Sequence, residues 1–112
     1  MKKTEIRYNS YGNLYILSFD KMQYASGGNL ALMIYCREEG NGYNEPFGTL
    51  TVNLYEPTDG NKAYLDVNNI PRDLISLLLQ RGVFKYTNKV CKSGWVEYPE
   101  VEFSHDWLEA IT

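Results

Sequence analysis

One imidazole and two thiols carry most of the reactive chemistry in this chain. His105 is its single histidine, and Cys36 and Cys91 are its cysteines. Any acid–base scheme near neutral pH must use His105 or proceed without the side chain best suited to it. Asp106 follows directly, but neighbours at a helix start point apart, so the sequence predicts an exposed first-turn histidine and not a coupled pair. A thiol–imidazole arrangement of Cys36 or Cys91 with His105 is a matter of geometry and not of chain order, and the spacing lends it no support. Both thiols read as small packed residues. A closed zinc site takes four Cys or His ligands, and two cysteines with one histidine fall short of that.

The carboxylates offer a second possibility. Glu38, Glu39, Asp59, Asp66, Glu97, Glu100 and Glu102 are the candidates for a carboxylate pair or a cation site. Glu100 and Glu102 lie two apart on an expected strand and so share a face, an arrangement that is usually a solvated edge. No EF-hand spacing, no GxxxxGK[ST] and no GxGxxG occurs, and Gly40-Asn41-Gly42 reads as a turn. No metal and no cofactor is implied.

Ten tyrosines and two tryptophans in 112 residues are the more unusual feature. Tyrosine joins a large apolar body to a hydrogen-bonding tip, which suits surfaces that must bind and stay soluble. Tyr43, Tyr55, Tyr64, Trp95 and Tyr98 are therefore the candidate binding residues. The competing explanation is that tyrosine simply fits half-buried sheet. Single-stranded nucleic acid can stack on such residues, but it also needs a basic groove.

Charge and composition bound the rest. Fourteen acids against eleven bases give a net charge of −3, with no basic patch to hold duplex nucleic acid. Lys85, Lys89 and Lys92 form the one local basic excess and read as a solvated strand face, where lysines also protect a sheet edge. Met1-Lys2-Lys3 precedes no apolar run, and no stretch approaches the roughly twenty apolar residues of a membrane span. The expectation is a single cytoplasmic domain over residues 1–112 with unpaired thiols, off the membrane, monomeric or homodimeric.

The elements that must position these residues are legible as patterns. Thr4, Ile6 and Tyr8 alternate with Lys3, Glu5 and Arg7, a strand with one wet face. Gly12-Asn13 supplies the positive φ angles of a hairpin turn, and Leu14–Phe19 returns as a second strand. Asp20–Asn29 reads as a loop. Leu30–Cys36 is a buried central strand, and Arg37–Gly48 a mobile loop containing Pro46. In Thr49–Tyr55, Leu50, Val52 and Leu54 face inward and Thr49, Thr51 and Asn53 outward; Ala63, Leu65 and Val67 then share a face. Asn68-Asn69 caps a helix with Pro71 in its first turn, an apolar stripe of Ile70, Leu74, Leu77 and Leu78 joined by Ile75 at its edge, and a left-handed stop at Gly82. Val83–Tyr86 and Gly94–Phe103 are further strands, with Pro99 pushing the second to an edge or a bulge, and Ser104 caps a short helix carrying Trp107. The fold class is α+β: a mainly antiparallel sheet of six or seven strands, one principal helix packed on it, and a short C-terminal helix.

Gly48-Thr49-Leu50-Thr51-Val52-Asn53-Leu54, Asp66-Val67-Asn68-Asn69, a leucine-rich helix ending Arg81-Gly82-Val83, and Ser93-Gly94-Trp95-Val96-Glu97-Tyr98-Pro99 occur in that order. Together they resemble the DUF4313 family of small bacterial proteins over roughly Asn29 to Phe103. The resemblance implies an accessory role in the host cytoplasm, since such proteins are often encoded on plasmids, phages and conjugative elements, and it brings no catalytic residues. The expected function is a non-enzymatic domain that binds a host cytoplasmic protein. The alternatives are a small enzyme or ligand-binding protein with a cleft between helix and sheet, and a single-strand binder.

Overall fold

Ile6–Ser10 (β1) and Asn13–Gln23 (β2) form the first hairpin of the computed structural model, which describes residues 4–40 and 42–111; Met1 to Lys3 and Asn41, named above, lie outside them. Ile6 and Tyr8 turn inward while Arg7 and Asn9 meet water, as alternation requires. The pairing of Ser10 with Asn13 leaves Tyr11 and Gly12 as the two central turn residues, with φ of 51° and 82°. Both are left-handed, the turn whose twist matches its strands. The positive φ thus falls on Tyr11, and not on Asn13, which already belongs to β2.

Leu30–Glu38 (β3) is the interior strand that its apolar run predicts. It pairs with β2 from Tyr15↔Glu38 to Gln23↔Leu30, so β2 continues through Asp20–Gln23 and the expected loop shrinks to residues 24–29. Cross-strand pairing outweighs the polar composition there. The expected loop over Arg37–Gly48 is also shorter, because Glu45–Thr49 (β4) pairs with β3. Pro46 sits on this edge strand beside a register shift, where a missing N–H costs least.

The remaining elements are Thr51–Val52 (β5), Lys62–Leu65 (β6), Arg72–Gln80 (α1), Phe84–Ser93 (β7), Val96–Phe103 (β8) and His105–Ile111 (α2). The α+β class and the antiparallel pairing are as expected, but the single sheet of six or seven strands is not found. There are two four-stranded sheets, ordered β1-β2-β3-β4 and β5-β6-β8-β7. The division lies at Leu50, whose N–H donates to the Leu32 carbonyl at 2.8 Å and whose carbonyl accepts from the Asp66 N–H at 2.9 Å. One backbone unit therefore bonds to both sheets, and the strand changes partner around it. Leu50 and Thr51 are consequently both buried, although alternation placed Thr51 outward. Thr51 Oγ1 takes the place of a ladder carbonyl, accepting the Leu32 N–H at 3.2 Å.

One apolar core joins the sheets. Leu17, Leu32 and Ile34 from the first meet Leu65, Val101 and Phe103 from the second, with Leu74 and Leu78 of α1. Full burial of each such side chain contributes about 2 kcal/mol. The helical stripe is as expected, with Leu74, Ile75 and Leu78 buried. Its start is not, because α1 follows Pro71 without a side-chain cap. Asn69 instead donates to Asp66 Oδ2 at 2.9 Å inside the preceding turn. The stop is a Schellman motif: Gly82 (φ 72°) donates to the Leu79 carbonyl and Val83 to that of Leu78. At the chain's end Trp107 of α2 lies 5.1 Å from the ring of Phe19 and stacks on Phe103 at 6.2 Å, thereby touching both sheets.

Candidate functional site

β8 bonds to β6 only at Glu100, Val101 and Glu102, so from Pro99 to the turn the second sheet narrows to a two-stranded ribbon of β7 and β8. Pro99, which lacks an N–H, stands where the β6 ladder ends. Opposite it the register shifts between Tyr86 and Val90, with Asn88 left-handed at φ 73°. Pro99 therefore marks a bulge, while β8 itself is an interior strand. Tyr86 faces Val101 and Val90 faces Pro99, so these four share one side of the ribbon. The ring of Phe84, in the core, meets that of Tyr86 at 5.7 Å, and the apolar strip runs outward from there to exposed Tyr86 and Val90. Gly94 and Trp95 make the turn, with Gly94 at φ 62°. Trp95 at this tip is 99 % exposed.

The five residues singled out in the sequence do not form one face. Tyr43 (80 % exposed) lies between β3 and β4, Tyr55 (fully exposed) between β5 and β6, and Trp95 between β7 and β8. Tyr98 is half-buried on the ribbon opposite Cys91. Tyr64 departs from the expectation entirely, for it is 1 % exposed and offers no binding surface. Its hydroxyl donates to Glu56 Oε2 at 3.3 Å, and Lys89 Nζ reaches the same oxygen at 3.1 Å. A lysine from the bulge and a glutamate from the β5–β6 connection thus close over the ring. Lys89 holds the Glu56 carboxyl below its ordinary value, and burial raises the Tyr64 hydroxyl. Tyr86 and Val90 are the surface residues that sequence reasoning left out of the site. Val90 is exposed where the ribbon outruns β6, and Tyr86, level with Ala63 of β6, is exposed on the outermost strand; no local pattern encodes either.

The connection bearing Tyr55 is held to the β2–β3 loop by three hydrogen bonds. Asn29 Nδ2 donates to the Glu56 carbonyl at 3.2 Å and its Oδ1 accepts from the Thr58 N–H, while Asn53 Nδ2 donates to the Ser26 carbonyl. Between these loops lies an open cavity of about 510 Å³ lined by Ser26, Asn29, Asn53, Tyr55 and Pro57.

The reactive groups stay apart. His105 is 78 % exposed at the start of α2, with Nε2 3.9 Å from Glu109 Oε1. It lines a cavity of about 410 Å³ with Lys85, Glu102, Ser104 and Asn61, and among the described residues neither cysteine does so. Cys36 lines a different and smaller cavity with Tyr15, Arg37 and Tyr43, and burial followed by the charge of Glu45 raises its thiol. Glu100 and Glu102 share a face but diverge in role: Glu100 is buried and accepts from Thr87 Oγ1 at 2.7 Å, while Glu102 pairs with Lys85 at 3.5 Å. Among the described residues no three His, Cys, Asp or Glu side chains gather as a metal site would require. Among the described residues no helix is long and apolar enough to cross a membrane.

Comparison with known proteins adds one finding. The model of the Domain of unknown function (DUF4313) matches residues 18–111, which extends past the motif-bearing span to take in α2 and most of β2. Searches of curated proteins and of solved structures found no match. With nearly the whole chain matched, from the second strand through the helix that carries Trp107, the protein belongs to the DUF4313 family.

Proposed function

We propose that this is a non-enzymatic interaction domain that binds a cytoplasmic host protein through the β7–β8 ribbon, with Trp95 as its anchor, in the bacterial mobile-element setting that the family resemblance implies. The observation that carries this reading is a tryptophan left wholly in water at the tip of a ribbon whose side bears exposed Tyr86 and Val90. Tryptophan is the residue most enriched in binding hot spots. A hydrogen-bonded ribbon presents it with little further ordering cost on association. Separation of His105 from both thiols supports binding over bond-making. The test is affinity capture from host lysate with wild-type chain and Trp95→Ala. A partner retained by the first and lost by the second, with melting temperature unchanged, is the expected result. Equal retention by both sinks the anchor.

A second reading, a small-ligand domain, rests on the convergence of Lys85, Glu102, Ser104 and His105 around one cavity. It requires saturable amide shifts at those four residues on titration with a metabolite mixture.

A further inference from the structure

We infer that β7 is a docking edge for an extended, acidic segment of the partner, which joins the second sheet as a new strand beside Val90–Ser93; this rests on the interaction-domain reading above. In the order β5-β6-β8-β7 the last strand has, among the described residues, a neighbour on one side only, and it is ten residues long. Its outward backbone N–H and C=O groups are a template for another strand. The other edges are poorer templates: β4 is short and carries Pro46, β5 has two residues, and β1 has five.

Charge selects the occupant. β7 carries Lys85, Lys89 and Lys92 and no acid, whereas β8 carries Glu97, Glu100 and Glu102 and no base. In a chain of net charge −3, three of the eleven basic residues therefore stand together on one outermost strand with no acid among them. Lys85 and Lys89 reach inward to Glu102 and Glu56 at 3.5 and 3.1 Å, yet both keep exposed side chains. Such pairs hold weakly and can share their cation with an arriving carboxylate. A second copy of this chain is the wrong occupant, because antiparallel β7 against β7 sets lysines against lysines. An acidic strand meets attraction where a copy meets repulsion.

The register shift decides where on β7 the strand sits. Between Tyr86 and Val90 the bulge breaks the edge, while from Val90 to Ser93 the ladder is regular. A segment there has Lys89 and Lys92 on either side of Val90 and ends beside Trp95. Val90 and Lys92 share one face of β7, so acids at alternate positions of the segment line up with Lys92 on that face, while the apolar residues between them lie beside Cys91 on the other.

The experiment uses the full chain and a fluorescein-labelled peptide of about eight residues alternating glutamate and valine, close to the usual length of a strand. Two controls are the same peptide N-methylated on alternate amides and one with lysine in place of glutamate. The acidic peptide should bind with saturable amide shifts at Val90–Ser93 and weaken several-fold between about 0.05 and 0.5 M salt. Lys92→Glu should weaken it about tenfold and Lys92→Gln less, each with an otherwise unchanged amide spectrum. The N-methylated and lysine peptides should not bind. Equal binding of either control, shifts elsewhere, or no saturation overturns the assignment. If the peptide fails while Trp95→Ala still releases the captured partner, the edge assignment alone falls. If the peptide docks on β7 and Trp95→Ala changes nothing, the anchor falls instead.

Discussion

Tyr64 is kept from water by two charged side chains that meet at one carboxylate oxygen. Lys89 holds Glu56 below its ordinary 4.5, by hydrogen bond first and by charge second. A carboxyl with a lowered folded value contributes stability that is in place above 4.5 and fades as pH falls through the folded value. Glu56→Gln should therefore flatten the melting temperature against pH just below 4.5. On the alkaline side burial raises the Tyr64 hydroxyl above 10.0, so its contribution is in place below 10.0 and is lost as pH climbs through the folded value. Tyr64→Phe should make that decline shallower and cost about 1 kcal/mol in urea unfolding at neutral pH, the worth of one hydrogen bond. At Cys36, burial and then Glu45 hold the thiol protonated above its ordinary 9.0. Iodoacetamide should label Cys36 several-fold more slowly at neutral pH than a free cysteine peptide, as read by mass spectrometry, and Glu45→Gln should narrow the gap.

Among the elements, the segment that passes from β4 to β5 is held by side chains as much as by ladder bonds. Thr51 Oγ1 accepts the buried Leu32 N–H, and the Tyr24 hydroxyl bonds to Thr51 at 3.0 Å. Thr51→Val keeps the shape and leaves the Leu32 N–H without an acceptor. The expected cost is about 2 kcal/mol in urea unfolding, with Thr51→Ser recovering most of it. Alternation counted Thr51 as an outward residue because a period of two assumes one continuous strand. Patterns that depend only on near neighbours fared better: the α1 stripe, the Gly82 stop and the inward residues of β1 stand where the sequence put them. Helix and strand periods are properties of the backbone itself.

For the molecule as a whole, α2 ties the two sheets together through Trp107, whose ring meets Phe19 of the first and Phe103 of the second. Trp107→Ala should cost about 3 kcal/mol by chemical unfolding, the usual scale for removing a packed tryptophan. Trp95→Ala removes the same side chain from full exposure and should change stability by less than about 0.5 kcal/mol. In sequence Trp95, Tyr55 and Tyr64 read alike as binding residues, yet Tyr64 is buried and the other two stand in water. Their fates differ because burial depends on what arrives from elsewhere in the chain: Lys89 and Glu56 over Tyr64, nothing beside Trp95. The amino-acid order by itself determined the α+β class, most strands, the principal helix and the family, since those follow from short-range periodicity and local motifs. Tertiary structure alone decided that Leu50 divides one strand between two sheets, that the lysine-bearing β7 is the outermost strand of the second, and which aromatic rings meet water. Each of those depends on a hydrogen bond or contact between residues far apart in the chain, and no local pattern encodes it.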